Sequence, residues 1–353
     1  MTDHVRGYKL KDDFCTAGGG RCRWALCTRG DEEFFLKEFL APKYPVAGSP
    51  GSPATRARKL RECEQFEKRH LALKKAIDLK VGKGGNLVKT LDFFRENTTY
   101  FKVTETVDVA DAVTPETISE LTRPEILIIA RALCHSVHIL HSLKIVHGDL
   151  KPDNILIKRT SGDRYTAKLI DFDDSYFIGE PPPAGEIVGD QTFYSPELAE
   201  YIMTAEEADD PGPEWIRRLQ PAGDNFALAL ILHRYCAGEM PAFDRKSCHY
   251  PWEAVRKGDK LRTSDKLGVL GADAAQLLVR ALGPDPADRP TAENILHAIS
   301  IEDKKTTPPS IRIPRGLTGT LKTAPKKPDP PPEPKPVPAP SAPSGKLRGS
   351  LLK

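Results

Sequence analysis

The chain has 353 residues, of which 39% are hydrophobic and 29% are charged, so it can form one large two-lobed domain with some further sequence. Its formal net charge of +3 is too small to indicate a nucleic-acid or membrane-surface partner. There is no apolar N-terminal signal core and no run of about eighteen apolar residues, so we expect a soluble, cytoplasmic protein. The 7 cysteines lack the paired spacing of zinc sites, which predicts reduced thiols without disulfides or structural zinc.

Short runs of β-type residues and one helical stretch occupy the first part of the chain. The runs cover residues 23–28, 34–39, 87–94 and 100–107. They predict a strand-rich unit over residues 8–107. Between Leu40 and Arg58, proline, glycine and serine are too frequent for regular structure, so we expect a mobile loop ahead of the helix.

A second helix has a clear start signal. Thr122 is a candidate N-cap, with Pro124 at the helix start and Glu125 placed for a capping box. Apolar residues then recur at helical spacing, at Ile126, Ile129, Ala130, Leu133, Val137 and Leu140. This pattern predicts a buried helix that ends at Leu143 and leads directly into a polar loop.

That loop contains the most informative residues of the chain. It runs His147-Gly148-Asp149-Leu150-Lys151-Pro152-Asp153-Asn154, and an apolar strand, a turn and a second strand separate it from Ile170-Asp171-Phe172-Asp173. One such loop alone would be compatible with an ordinary turn, because Asp, Asn and Pro are common in turns. Both segments, in this order, resemble the catalytic loop and the metal-binding segment of eukaryotic-type protein kinases. The resemblance covers about residues 8–300 and implies an α+β, bilobal fold with a small β-rich N-lobe and a larger α-helical C-lobe.

The resemblance implies a site for phosphoryl transfer, in which the protein mainly positions the reactants and neutralises charge. Asp149 would accept or orient the proton of the acceptor hydroxyl, and Lys151 would contact the γ-phosphate of ATP. Asn154 and Asp171 would hold Mg²⁺, with Mn²⁺ as an alternative, because hard cations prefer oxygen ligands. Lys37 would grip the α- and β-phosphates.

In this family the strand lysine pairs with a glutamate on a helix. We predict Glu67 as the partner of Lys37, because Leu71 then falls one turn later and faces the core. Glu64 and Glu62 are the alternatives.

The nucleotide loop departs from the family pattern. Gly18, Gly19 and Gly20 stand where kinases have three spaced glycines, and only Gly20 is in register. Consecutive glycines can still let backbone N–H groups approach phosphates, but a flexible hairpin turn explains them equally well. Phe35 stands where the family has a small residue against adenine, so its ring would either narrow the nucleotide slot or stack on a shifted base.

Two further departures concern regulation. Gly148 replaces the arginine that in many kinases pairs with an activation-loop phosphate, and the aliphatic hydroxyls between Asp171 and Glu197 are those of Ser175, Thr192 and Ser195. We therefore predict activity that does not depend on activation-loop phosphorylation. Asp173 replaces a mobile glycine, which should restrict movement of the metal-binding segment.

The catalytic loop alone does not separate protein kinases from small-molecule phosphotransferases that resemble aminoglycoside and choline kinases. The downstream sequence favours a protein substrate. Residues 189–197 resemble the segment that closes a protein kinase activation loop, Asp224 begins an apolar helix, and Arg289 would pair with Glu197. Lys151, two residues after Asp149, indicates specificity for Ser and Thr rather than Tyr.

The C-lobe is expected over residues 108–302. An acidic stretch at residues 206–214 would favour basic protein substrates if it lies beside the acceptor groove, whereas a solvated surface loop is the plainer interpretation. Residues 303–353 are rich in proline and lysine, which predicts a disordered, extended tail. The tail could carry autophosphorylation sites or dock a partner that binds phosphopeptides or proline-rich segments, and a solubilising tail is the alternative.

The sequence therefore predicts a eukaryotic-type Ser/Thr protein kinase in the bacterial style, which uses ATP and Mg²⁺. Two other functions stay open at this point. The degenerate glycine loop and Phe35 favour a pseudokinase that binds nucleotide as a scaffold, whereas the retention of Lys37, Asp149, Asn154 and Asp171 opposes it. The other is a small-molecule phosphotransferase.

Overall fold

The protein was studied as a computed structural model, which describes residues 4–16, 21–46, 48–80, 85–109, 113–114, 116–160, 162, 164–207, 212 and 214–299. The chain divides into two units, Met1–Asp303 and Lys304–Lys353, and all described residues belong to the first. The predicted disordered tail over residues 303–353 lies outside the described residues. None of the helices formed by the described residues is both long and apolar enough to cross a lipid bilayer.

The N-lobe is an antiparallel sheet of six strands in the order β1-β2-β3-β4-β6-β5. Its strands are β1 His4–Val5, β2 Tyr8–Leu10, β3 Cys22–Arg29, β4 Glu32–Phe39, β5 Thr90–Glu96 and β6 Thr99–Glu105. The sheet begins before residue 8, where the lobe was predicted to start, because a hairpin of β1 and β2 precedes β3. Arg6 and Gly7 form its turn with φ angles of 45° and 82°, which short hairpin turns require.

One long helix, α1 Pro53–Lys80, packs beside this sheet. Its buried residues, Cys63, His70, Leu73 and Ile77, repeat at helical spacing. The predicted irregular loop is shorter than expected, because the helix already begins at Pro53. A proline suits the first helical position, where its missing N–H group would have no partner in the helix.

The C-lobe is mainly helical. Its helices are α2 Arg123–Ser142, α3 Pro196–Glu207, α4 Glu214–Arg218, α5 Ala222–Ala237, α6 Pro251–Arg256, α7 Ala272–Ala281 and α8 Ala292–Ala298. Its short strands are β7 Ile145–Val146, β8 Ile155–Arg159, β9 Tyr165–Leu169 and β10 Tyr176–Phe177. Helix α5 is apolar on all sides and buried, with residues 226–232 all in the core. The predicted bilobal, α+β fold is confirmed.

Helix α2 and the β8–β9 hairpin place the polar loop between the two lobes. The predicted start of α2 is confirmed, since the Glu125 carboxylate accepts hydrogen bonds from the backbone N–H and the hydroxyl of Thr122, at 2.9 and 2.6 Å. The helix ends at Ser142, with Leu143 as its C-cap. The backbone of Leu169, at the end of β9, exchanges hydrogen bonds with Val88 and Asn86 of the segment that enters β5. The strand that precedes Asp171 is thereby joined to the N-lobe.

Candidate active site

The backbone of the polar loop, residues 147–154, is held by a buried carboxylate of α5, Asp224. Asp224 accepts hydrogen bonds from the backbone N–H groups of His147 and Gly148 at 2.7 and 3.1 Å, and it lies 2.9 Å from Nε2 of His141. Burial acts to raise the pKa of Asp224, but the hydrogen bond from His141 and the nearby imidazoles together hold it below its usual range. An ionised Asp224 can therefore anchor the loop backbone.

Three side chains of the predicted catalytic set meet in this loop. Asp149 Oδ2 lies 2.6 Å from Lys151 Nζ and 3.0 Å from Asn154 Nδ2. Asn154 Nδ2 also donates to the backbone carbonyl of Asp149 at 2.8 Å, which fixes the amide with its oxygen as the remaining ligating atom. Burial opposes the charged form of Lys151, yet the hydrogen bond to Asp149 raises its pKa overall. The loop thus holds a carboxylate and an ammonium group side by side.

Gly148 has a geometric reason to be glycine. Its φ angle is +81°, and a Cβ atom there would lie 2.8 Å from the backbone oxygen of Asp174. Any larger residue, including the arginine found in many kinases, would be strained at this position.

The metal-binding segment follows β9 and lies against the catalytic loop. The backbone N–H of Ile170 donates to the carbonyl of Asn154 at 2.9 Å, which ties the two segments together. Asp171 has a φ angle of +60°, a conformation that short polar side chains tolerate. Its Oδ1 atom is buried and has no hydrogen-bond partner among the described residues. A buried carboxylate oxygen of this kind suits a hard divalent cation.

Lys37 reaches this segment from β4. Its Nζ atom lies 2.8 Å from Asp171 Oδ2 and 2.8 Å from Asp173 Oδ2. Burial opposes its charged form, but Asp173 and then Asp171 raise its pKa above the usual value. The structure therefore brings Lys37 to the metal-binding segment, and its predicted contact with the phosphates of ATP stays a prediction.

The predicted pairing of Lys37 with Glu67 is wrong in this structure. Glu67 instead accepts a hydrogen bond from the hydroxyl of Tyr100 at 2.7 Å and lies 3.7 Å from Arg95. The reasoning from Leu71 fails as well, because Leu71 is 51% exposed and the buried face of α1 passes through His70 and Leu73. The alternatives Glu62 and Glu64 are both exposed.

Two residues of the site, Lys102 and His70, were not predicted from the sequence. Lys102 of β6 forms ion pairs with Asp173 and, at 3.6 Å, with Asp171. His70 of α1 lies with Nε2 3.6 Å from Asp173 Oδ1. A signal was available, since a lysine between Phe101 and Val103 in the middle of a strand is unusual unless it has a buried partner.

A comparison with known proteins identifies the family to which this chain belongs. A family profile described as "Protein kinase domain" matches residues 59–299, which is more than half of the chain. The chain belongs to the protein kinase domain family. The matched range includes the catalytic loop and the metal-binding segment, whereas Lys37 lies before it.

Curated relatives of this kinase domain are similar at low identity. Calcium-dependent protein kinase 26 of Oryza sativa subsp. japonica is 27% identical over 178 residues, which is 50% of this chain and 30% of the relative. Calcium-dependent protein kinase 5 of Arabidopsis thaliana is 29% identical over 160 residues, which is 45% of this chain and 26% of the relative. The chain thus aligns with less than a third of the length of these two relatives.

The N-lobe sheet carries an aromatic pair on the face from which Lys37 projects. Phe35 stacks on Trp24 with ring centroids 5.3 Å apart and an angle of 24° between the planes. Phe35 alternates with Lys37 along β4, and Trp24 is the cross-strand partner of Lys37, so all three side chains share one face of the sheet. The predicted loop glycines Gly18, Gly19 and Gly20 lie outside the described residues.

The predicted ion pair behind the activation segment, residues 171–197, is confirmed. Arg289 binds Glu197 through two hydrogen bonds of 2.8 and 2.9 Å, and both side chains are fully buried. Arg289 also donates to the backbone carbonyls of Ala222, Gly283 and Pro284. This pair joins the start of α3 to α5 and to the turn before α8.

The hydroxyls of the activation segment differ in accessibility. Ser175 is buried and donates to the carbonyl of His147 at 3.0 Å, and Ser195 is also buried. Thr192 is half-buried. Modification of Ser175 or Ser195 would therefore require local unfolding.

Proposed function

We propose that this kinase domain transfers the γ-phosphoryl group of ATP to serine or threonine hydroxyls of protein substrates. The observation that carries the proposal is the set of contacts among Asp149, Lys151 and Asn154, beside Asp171 and Lys37. Members of the protein kinase domain family use ATP with a divalent metal, and the present residues suit both. The family match and the relatives give no support to a small-molecule acceptor.

Each residue has a role that its position permits. Asp149 orients the acceptor hydroxyl and accepts its proton as the oxygen attacks phosphorus. Lys151, already beside Asp149, neutralises charge on the transferred phosphoryl group, and Lys37 holds the other phosphates of ATP. Asn154 and Asp171 would hold Mg²⁺, which supplies positive charge to the phosphate oxygens when it is bound.

We also propose that activity is independent of phosphorylation in the activation segment. The burial of Ser175 and Ser195 supports this, as does Gly148, which leaves no arginine at the position that would receive the phosphate. A preference for basic acceptors is proposed from the acidic stretch at residues 206–214.

The acceptor can be tested by incubating the purified chain with labelled ATP and Mg²⁺, using one basic and one acidic generic protein as acceptors. Phosphosites are then mapped by mass spectrometry, and Mn²⁺ replaces Mg²⁺ in a parallel reaction. We expect label on serine or threonine, more on the basic acceptor, and none with the Asp171→Ala variant. Label confined to tyrosine, or ATP turnover without labelled protein, would contradict the proposal.

A further inference from the structure

Five side chains from β4, β6, α1 and the metal-binding segment form a compact cluster, which we call the inner charge cluster. They are Lys37, Lys102, Asp171, Asp173 and His70. The side chains of Lys37, Lys102 and Asp173 are 12%, 7% and 12% exposed, so these charges are largely removed from water. Buried charges of this kind are costly unless they are paired, and here two lysines face two aspartates.

The two lysines are forced together by the sheet. Lys37 and Lys102 are direct cross-strand partners in the β4–β6 ladder, so their side chains leave the same face of the sheet a few ångströms apart. Like charges in that arrangement repel each other unless a carboxylate lies between them. Asp173 is the residue that does so, since it forms ion pairs with both lysines.

Among the described residues, no third lysine or arginine forms an ion pair with Asp173. His70 faces it at 3.6 Å, but burial lowers the pKa of His70, which favours the neutral imidazole. Asp173 is therefore paired with the two lysines, Lys37 and Lys102.

Lys37 has a carboxylate partner, Asp173, that is separate from Asp171, the candidate metal ligand. Without Asp173, the carboxylate paired with Lys37 among the described residues would be Asp171, which is also the candidate ligand of Mg²⁺. Glu67, the helix residue expected to hold Lys37, is instead bound to Tyr100.

We propose that Asp173, held inward by Lys102, is the positioning residue for Lys37 and takes the place of a helix glutamate in this kinase domain. The orientation of Lys37 then depends on the metal-binding segment and β6 rather than on α1. This inference rests on the proposed function, because it concerns the grip of Lys37 on ATP.

The test compares Asp173→Asn and Lys102→Met with Glu67→Gln, which keeps an oxygen acceptor for Tyr100. Binding of a fluorescent ATP analogue with Mg²⁺ is measured together with KM for ATP, kcat and thermal stability. We expect Asp173→Asn and Lys102→Met each to weaken analogue binding and raise KM about 10–100-fold, as for other residues that orient a ligand-binding group. Glu67→Gln should stay within about twofold of wild type, and Lys102→Arg should recover most of the binding lost in Lys102→Met.

A double-mutant cycle separates positioning from general damage to the fold. In a Lys37→Met background, Asp173→Asn should have little further effect on analogue binding, because it acts through Lys37. If Asp173→Asn alone does not fold, the neutral double variant Lys102→Met/Asp173→Asn removes the pair together and should show the same loss of binding.

The outcomes distinguish this inference from the proposed function. The inference alone would be overturned if wild type transfers phosphate and Asp173→Asn binds the analogue and transfers phosphate as well as wild type does. It would also be overturned if Glu67→Gln is as impaired as Asp173→Asn. Wild type that binds the analogue but transfers no phosphate would overturn the proposed function, and the binding series would still decide the inference. A wild-type chain that binds no analogue would overturn both.

Discussion

The backbone conformation of Gly148 explains why this position holds glycine and not the arginine of many kinases. Its φ angle of +81° and the oxygen of Asp174 at 2.8 Å from a hypothetical Cβ make alanine doubly unfavourable. Gly258 provides a matched control in the same lobe, with a φ angle of +87° and open space around it. We expect Gly148→Ala to lower the free energy of unfolding by about 2–4 kcal/mol and Gly258→Ala by about 1 kcal/mol, measured by urea denaturation. Equal losses would contradict the close approach of Asp174.

Asp174 is a half-buried carboxyl close to other acids, and its position implies a pH-dependent stability. Burial, followed by the charges of Asp173, Asp149 and Asp171, raises its pKa from 3.8 to about 7. The folded state thus holds a proton that the unfolded state has lost, so its contribution to stability falls as pH rises from about 4 to about 7.

Asparagine mimics the protonated form of this carboxyl. In EDTA, Asp174→Asn should therefore be more stable than wild type at pH 8, by about 2–4 kcal/mol, and similar to wild type near pH 4. Asp259→Asn, at an exposed carboxylate, is the control and should show no such trend. A gain in stability that is the same at both pH values would refute the assignment.

Helix α3 offers two ion pairs in contrasting surroundings. The Glu197–Arg289 pair is fully buried. Glu200 and Arg218 form an ion pair of 2.8 Å, and their side chains are 37% and 42% exposed. Glu197→Ala should cost about 3–5 kcal/mol of unfolding free energy, because it leaves Arg289 buried without its carboxylate. Glu200→Ala should cost less than about 1 kcal/mol. Similar losses for both variants, measured by denaturant unfolding, would contradict the buried character of the first pair.

The activation segment gives a prediction about regulation. Thr192 is the least buried of its three aliphatic hydroxyls and the one most open to modification. We expect Thr192→Val to keep phosphoryl-transfer activity within about twofold of wild type, since no arginine stands at position 148 to bind a phosphate. A loss of activity of more than tenfold in Thr192→Val, together with phosphate mapped to Thr192 in the wild type, would contradict this prediction.

At the scale of the whole molecule, the sequence predicted the parts with strong local signals. The capping box at Thr122 and the polar loop at residues 147–154 depend on residue types at fixed spacing, and the structure contains both. The Glu197–Arg289 pair, which joins distant parts of the chain, was expected from the family resemblance and is also present. The β1–β2 hairpin was missed because its strands are too short to show alternation.

The carboxylate that pairs with Lys37 could not be predicted, for a different reason. Sequence spacing suggested Glu67 for Lys37, because a helix glutamate is the usual partner in the family. Which side chain of α1 faces the cleft depends on how the helix rotates against the sheet, and here His70 lies nearest. The partner role of Asp173 depends on Lys102, which is distant in sequence and adjacent only through strand register.

The central claim is that the contacts around Asp149 make this kinase domain a phosphoryl transferase. The most direct test is the single-turnover rate of phosphate transfer from ATP and Mg²⁺ to a basic protein acceptor, for wild type and Asp149→Ala, with ATP affinity measured in parallel. We predict that the variant binds ATP as wild type does but transfers phosphate at least about 100-fold more slowly. Equal rates for the two proteins, or no transfer by the wild type, would contradict the account.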